Sequence, residues 1–204
     1  GGRTQTEQRV ALAADADGKL KALLHHGYGV KPLHSICDEG FTLTGRSLYA
    51  CESFDIVQHY VDLDLLANSF MRGPGETPGT FAIECAMDEL AEKLGMDPID
   101  LRLRNEPEKD PISGLPFSSR HIAQAWRDGA ARFGWDARSA VPAARREGEW
   151  LVGLGCATAT YPYYRMPGGA ARITLSREGE ATIDIAAHEM GLDPDLRAEM
   201  STWN

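Results

Sequence analysis

This chain of 204 residues has few cysteines. Cys37, Cys51, Cys85 and Cys156 are widely spaced, with no CxxC pair among them. That spacing argues against disulfides or an iron–sulfur site and for reduced, mostly buried thiols. No uninterrupted apolar run is long enough to cross a bilayer, so no membrane insertion is expected. A signal-peptide pattern is absent. So is an initiator Met: the chain opens Gly1-Gly2-Arg3, as a processed chain or a piece of a longer one would. There is no P-loop and no serine-nucleophile elbow. His188-Glu189 has no second His four residues on, which removes a helical zinc-protease reading. Neither a solenoid-spaced repeat nor a low-complexity tract occurs. Positive charge is in deficit, with 21 Lys and Arg against 30 Asp and Glu and a net charge of −9. That argues against a general binder of nucleic acid or anionic membranes.

What is present organises around Met71–Asn105. Arg72-Gly73-Pro74-Gly75-Glu76 is a tight loop. Gly73 and Gly75 permit backbone angles closed to other residues, so amides there can approach a ligand. Thr77 suits a helix cap and Pro78 a first helical position. Ile83, Met87, Leu90 and Leu94 recur at helical spacing, while Asp88, Glu89, Glu92 and Lys93 face elsewhere as a solvated surface. Gly95 ends that helix. Asp97-Pro98 starts a short second one, with Asp100 near its positive end.

The flanks read as strand, turn and helix. Val10, Leu12 and Ala14 alternate, Asp17-Gly18 turns, and Leu20, Ala22 and Leu24 return, which predicts a hairpin. His25 to Gly29 reads as a loop with both histidines at the surface. A second β-rich stretch is expected over Phe41–Asp62, including Ser47–Ala50 and Phe54–Val57. Glu106–Pro116 reads as an exposed connection. Ser118 or Ser119 is expected to cap a helix with Ile122, Trp126, Ala130 and Phe133 on one face, the two aromatics in the core. Asp136–Glu149 reads as a polar link. Leu151–Cys156 reads as a strand, and Ala171–Ile185 as a hairpin turning at Glu178-Gly179. The sum is an α+β fold, with β-hairpins and a mixed sheet packed with helices. Residues 1–116 form a β-rich segment with the glycine loop and a helix over 79–95. Residues 117–204 form a helix and a β-hairpin segment of the same or an adjoining subdomain.

The run ECAMDELAEKLGMDPIDLRLRN, with Met71-Arg72-Gly73-Pro74-Gly75 before it, resembles the molybdenum-binding large subunit of the xanthine dehydrogenase and aldehyde oxidase family. Pro74 and Glu76 suggest its bacterial aldehyde-oxidising branch. Members oxidise aldehydes or N-heterocycles with water-derived oxygen on a molybdopterin cofactor, plain or as the cytosine dinucleotide. Iron–sulfur clusters and FAD are expected on partner chains or domains. The resemblance implies a cofactor contact at Met71, Arg72, Gly73 and Gly75, and a second at Glu189, Met190 and Gly191. Substrate contacts are implied at Arg46, Pro74, Tyr161 and Tyr163. Arg46 is equally readable as a solvated strand-end arginine, and the tyrosines as core or rim. The resemblance implies that the general-base Glu lies beyond Asn204, so no catalytic residue is assigned, and that the pterin dithiolene holds the metal, so no metal ligand is assigned.

The implied partners are the remainder of the molybdenum subunit, iron–sulfur and FAD subunits, and a small aldehyde or heterocycle. The implied location is the cytoplasm, or the periplasm by co-export with a partner. The isolated chain is expected to be inactive. After Gly191 the family pattern gives way to Leu192-Asp193, where a short helix with Leu196 and Met200 is readable. That departure motivates the alternative of a non-enzymatic scaffold or interaction module that keeps the fold.

Overall fold

The computed structural model describes residues 3–35, 38–161 and 170–185. Two compact units divide at Tyr161 and Pro162. In the first, β1 (Thr6–Ala14) and β2 (Leu20–Pro32) form the predicted hairpin. Gly18 in its turn takes φ +81°. Strand β3 (Ser53–Leu63) lies parallel to β2 on its other side, so the thirteen-residue β2 is the central strand of a mixed sheet.

The expected loop at His25–Gly29 is therefore strand, and His25 is fully buried. The physical reason lies outside the segment. Phe41 is buried against Gly27 and Gly29, where an added Cβ would come within 2.6 and 2.8 Å of its ring. The glycines are the seat of an aromatic ring, which alternation of apolar residues cannot reveal. Ser47 also departs from expectation. It closes a four-residue helix, α1 (Thr44–Ser47), while Leu48 and Tyr49 go into the core.

Helix α2 (Glu76–Leu94) covers the sheet with Ile83, Met87 and Ala91, all fully buried. These pack with Leu20, Leu48, Tyr49 and Leu101, flanked by Val10, Leu12 and Leu90. Gly95 ends α2 in the left-handed conformation, as expected. Helix α3 (Pro98–Arg104) follows, with the Asp97 side chain accepting from Ile99 N at 2.8 Å. Asn105 locks α3 to the hairpin. Its Nδ2 donates to Gly18 O and Leu101 O, and its Oδ1 accepts from Leu20 N.

Helix α4 (Ile122–Phe133) forms where predicted, but its cap is His121, with no side-chain bond. It buries no residue, and Phe133 is 63% exposed, so the core role expected of it is wrong. Trp135, in a 3-10 turn over Trp135–Ala137, is the buried aromatic instead. The expected polar link contains strand β4 (Arg145–Glu147), paired with β5 (Trp150–Val152); the strand read over Leu151–Cys156 is correspondingly short. Cys51 and Cys156 are half-buried and Cys85 is exposed, so none of the described cysteines is fully buried as expected. Cys37 lies outside the described residues.

In the second unit, β6 (Ala171–Leu175) and β7 (Ala181–Ile185) form the expected antiparallel hairpin with Gly179 at φ +88°.

Candidate functional site

The glycine loop enters α2 through two left-handed residues, Gly73 at φ +67° and Gly75 at φ +80°. Gly75 is the helix N-cap. Thr77 and Pro78 therefore lie inside the first turn, not at the cap and first position that sequence suggests. Met71 and Arg72 are exposed and Gly73 and Pro74 half-buried, whereas Gly75 and Glu76 are buried. One half of the loop thus faces out and the other is anchored.

Segment Glu39–Thr42 is the anchor. An added Cβ on Gly75 would sit 2.8–2.9 Å from the Gly40 backbone, and one on Gly79 1.8 Å from Phe41 O. Both glycines exist to let this backbone approach α2. The segment is tied to β3 as well. Gln58 Nε2 and Tyr60 Oη both donate to Glu39 O, and Gln58 Oε1 accepts from Thr42 N. Glu39 itself is 1% exposed, and its Oε2 accepts the Gly75 N–H at 3.0 Å. That donor is spent inside the protein. On this point the sequence reading of a ligand-facing Gly75 amide is corrected.

Arg3 completes the arrangement. Its Nη1 donates to Gly73 O at 3.1 Å and its Nη2 to Arg72 O at 2.6 Å, with Nη1 3.7 Å from Glu39 Oε2. No cis peptide occurs among the described residues. In a planar trans peptide the carbonyl and N–H point in opposite directions, so the Gly73 N–H is turned away from Arg3. Three buried oxygens near this loop have no hydrogen-bond partner: Glu39 Oε1, Glu76 Oε2 and Thr80 Oγ1. Burial raises the Glu76 carboxyl above the ordinary carboxylate range, and the charge of Glu39 adds to the rise.

Further along α2, Glu84 holds a second, closed polar cluster. It accepts from Tyr49 Oη at 2.5 Å, Arg102 Nε at 2.9 Å and Thr158 N at 2.8 Å. Burial works against the Arg102 charge, but its anionic neighbours Glu84 and Asp88 hold it protonated. Burial likewise pushes the Tyr49 hydroxyl up.

A cleft of about 1090 Å³ opens beside Asp88, Gly95, Asp97, Trp135, Arg138 and Cys156. It reaches the C-terminal end of α2, and a helix of 19 residues is roughly 28 Å long. The cleft is therefore remote from the glycine loop. Burial pushes its Cys156 thiol up to about 11, so the thiol is protonated at neutral pH and is no nucleophile. No group of three or more His, Cys, Asp or Glu among the described residues is arranged to hold a metal.

Of the sequence-predicted contacts, Met71, Arg72, Gly73, Pro74 and Gly75 are contiguous in the loop. Arg46 is exposed on α1, which packs against α2. Tyr161 is exposed and lies three residues beyond Thr158, which is anchored to Glu84. Tyr163, His188, Glu189, Met190 and Gly191 fall outside the described residues, as does the short helix read around Leu196 and Met200. Arg3 and Glu39 were not anticipated. They meet the loop across 70 and 36 residues, and nothing local in the sequence marks such a pairing.

A family model for the molybdopterin cofactor-binding domain matches residues 1–106. The chain is 36% identical over 190 residues to the aldehyde oxidoreductase molybdenum-binding subunit PaoC of Escherichia coli (strain K12), covering 93% of this chain and 26% of that one. It is 29% identical over 200 residues to the xanthine dehydrogenase molybdenum-binding subunit of Escherichia coli O157:H7, covering 90% and 26%. It thus spans about a quarter of the length of these relatives. Among solved structures, the aldehyde oxidoreductase of Desulfovibrio gigas superposes with a TM-score of 0.54 at 27% identity, over 68% of this chain and 16% of that one. The quinoline 2-oxidoreductase of Pseudomonas putida 86 shares the fold, with a TM-score of 0.58 at 20% identity over 66% and 19%.

Proposed function

The chain belongs to the molybdopterin cofactor-binding domain family, and from that premise we propose that it forms one wall of the cofactor site in a molybdenum hydroxylase that oxidises aldehydes or N-heterocycles. The observation that carries this reading is the half-exposed glycine loop. Its outer residues, Met71–Pro74, are open to a ligand, while its inner residues are fixed to Glu39–Thr42. The loop's chemistry fits such a group. Arg3 draws two carbonyl oxygens inward, which leaves the Gly73 N–H directed the other way as a donor to an electron-rich ligand.

When bound, the cofactor supplies the two-electron chemistry and the oxygen transfer; the protein supplies position and hydrogen bonds. Within that division, Met71, Arg72 and Gly73 present backbone to the cofactor, and Pro74 stiffens the loop between its two left-handed glycines. Gly75 binds through the loop shape it allows, because its own N–H belongs to Glu39. Arg46 on α1 and Tyr161, in the irregular segment three residues beyond Thr158, are assigned to substrate contact. On the resemblance alone, Tyr163 is assigned to the substrate and Glu189, Met190 and Gly191 to the cofactor; all four lie outside the described residues. No residue of the chain is assigned proton transfer. Aldehyde substrates are favoured over purines, in line with the higher identity to the aldehyde oxidoreductase subunit. The remainder of the molybdenum subunit, iron–sulfur and FAD subunits, and assembly in the cytoplasm belong to the same proposal.

The test is metal analysis and pterin fluorescence on the assembled enzyme containing this chain. Molybdenum and pterin should co-purify with it. A fully assembled, folded complex lacking both would refute the proposal.

A further inference from the structure

We propose that Arg3 and Glu39 are positioning residues, a two-charge clamp that sets the peptide planes of the glycine loop for its ligand; the inference rests on the cofactor-wall reading above. Arg3 spends two guanidinium nitrogens on consecutive carbonyls, Arg72 O and Gly73 O. The same oxygens also accept from Thr77, Arg72 O from its hydroxyl at 3.2 Å and Gly73 O from its N–H at 3.0 Å, so Arg3 adds a planar, charged second hold that narrows the rotation of both peptides. Glu39 holds the next donor in line, the Gly75 N–H. Arg72, Gly73 and Gly75 are thereby gripped from behind, while Met71–Pro74 remain the accessible side.

Stability alone is a poor explanation of this arrangement. Glu39 is 1% exposed and its Oε1 has no hydrogen-bond partner. A buried carboxylate with an empty oxygen costs more than an apolar residue of similar size would. What the carboxylate provides is an acceptor for a left-handed glycine N–H at a place where a helix N-terminus adds positive potential. Arg3, 3.7 Å away, offsets the charge. Without that offset, an anionic ligand on the other side of the loop would face a negative charge with little water to screen it. The clamp therefore sets both the direction of the Gly73 N–H and the sign of the field behind it.

The experiment uses the assembled enzyme with the whole molybdenum subunit, and compares wild type with Arg3→Ala, Arg3→Lys, Glu39→Gln and Glu39→Leu. The readouts are molybdenum and pterin retained after extended dilution, and the melting temperature. Arg3→Ala should lose molybdenum about tenfold faster, the effect of one or two hydrogen bonds. Arg3→Lys should recover part of the retention, because an ammonium reaches one carbonyl at a time. Glu39→Gln keeps an acceptor for the Gly75 N–H and should stay much closer to wild type than Glu39→Leu. Ile99→Ala, a buried substitution on α3, controls for general destabilisation. Its retention should stay high at an equal loss of melting temperature. The clamp is overturned if a folded Arg3→Ala enzyme retains molybdenum as wild type does, or if Ile99→Ala loses it equally. If the wild-type assembly itself carries no molybdenum or pterin, the cofactor-wall reading fails first and is distinguished from failure of the clamp.

Discussion

Helix α2 buries glutamates at two stations and treats them oppositely. At Glu84 both carboxylate oxygens are filled, by the Tyr49 hydroxyl on one side and by Arg102 and the Thr158 amide on the other. At the helix start, Glu76 Oε2 and the neighbouring Glu39 Oε1 are buried without partners. A fully satisfied buried network stiffens and specifies a core, whereas an incompletely satisfied one costs stability and calls for another purpose. The contrast separates the two tasks of the helix. Its middle holds the hairpin, α1 and α3 together, and its first turn holds a loop in a shape that stability does not require.

The largest expected effect comes from breaking the closed station. Arg102→Ala leaves Glu84 and Asp88 facing each other without their cation, and urea unfolding should show a loss of about 3–5 kcal/mol. A loss below about 1 kcal/mol would mean that the network is wet and the contrast false.

Acid tests the first-turn station next. His25 Nε2 lies 2.8 Å from Gln8 Oε1, and Gln8 Nε2 donates to Pro78 O in the first turn of α2. Burial lowers the His25 pKa from 6.5 to about 4, with His26 adding to the shift. The folded pKa is depressed, so the fold favours the neutral ring. Its contribution is complete above the unfolded value and is lost as pH falls from about 6.5 to about 4. The loss should reach about 3 kcal/mol at most, and hydrogen exchange should rise at Thr77–Thr80 before it rises around Glu84. His25→Gln should flatten that dependence; an unchanged profile would remove His25 from the account.

The smallest effect is the most discriminating. Glu76→Gln removes a charge that burial disfavours, so stability at neutral pH should be unchanged or higher. Because the folded Glu76 pKa is raised, its penalty is present at neutral pH and is relieved as pH falls through that value. The variant should lose this relief on acidification. A marked loss at neutral pH, comparable with Glu84→Gln, would erase the difference between the two stations.

These contrasts mark how far the sequence could be read. Local rules were enough for the Asp17-Gly18 hairpin, the Ile83–Leu94 face of α2, the Gly95 stop and the Asp97-Pro98 start. In each the deciding chemistry lies within a few residues. They failed at β2, where Gly27 and Gly29 are spaces for Phe41, and at α1, which is too short to be set by propensity and follows from its packing on α2. They also failed at Phe133, whose helical phase is right but which has no covering element within the described residues. The loop itself was legible because paired glycines announce unusual backbone. Its anchors were not, since Arg3 and Glu39 reach it from 70 and 36 residues away.

The central claim, that this loop is a wall of the cofactor site, is tested most directly by molybdenum and pterin content in the assembled enzyme carrying Gly75→Val. A β-carbon at φ +80° and 2.8 Å from Gly40 must displace the loop, at a cost of about 1–3 kcal/mol, while the hydrogen-bonded core of α2 persists. The account predicts a folded, assembled protein with far less molybdenum and pterin than wild type. Full loading of that folded variant would contradict it.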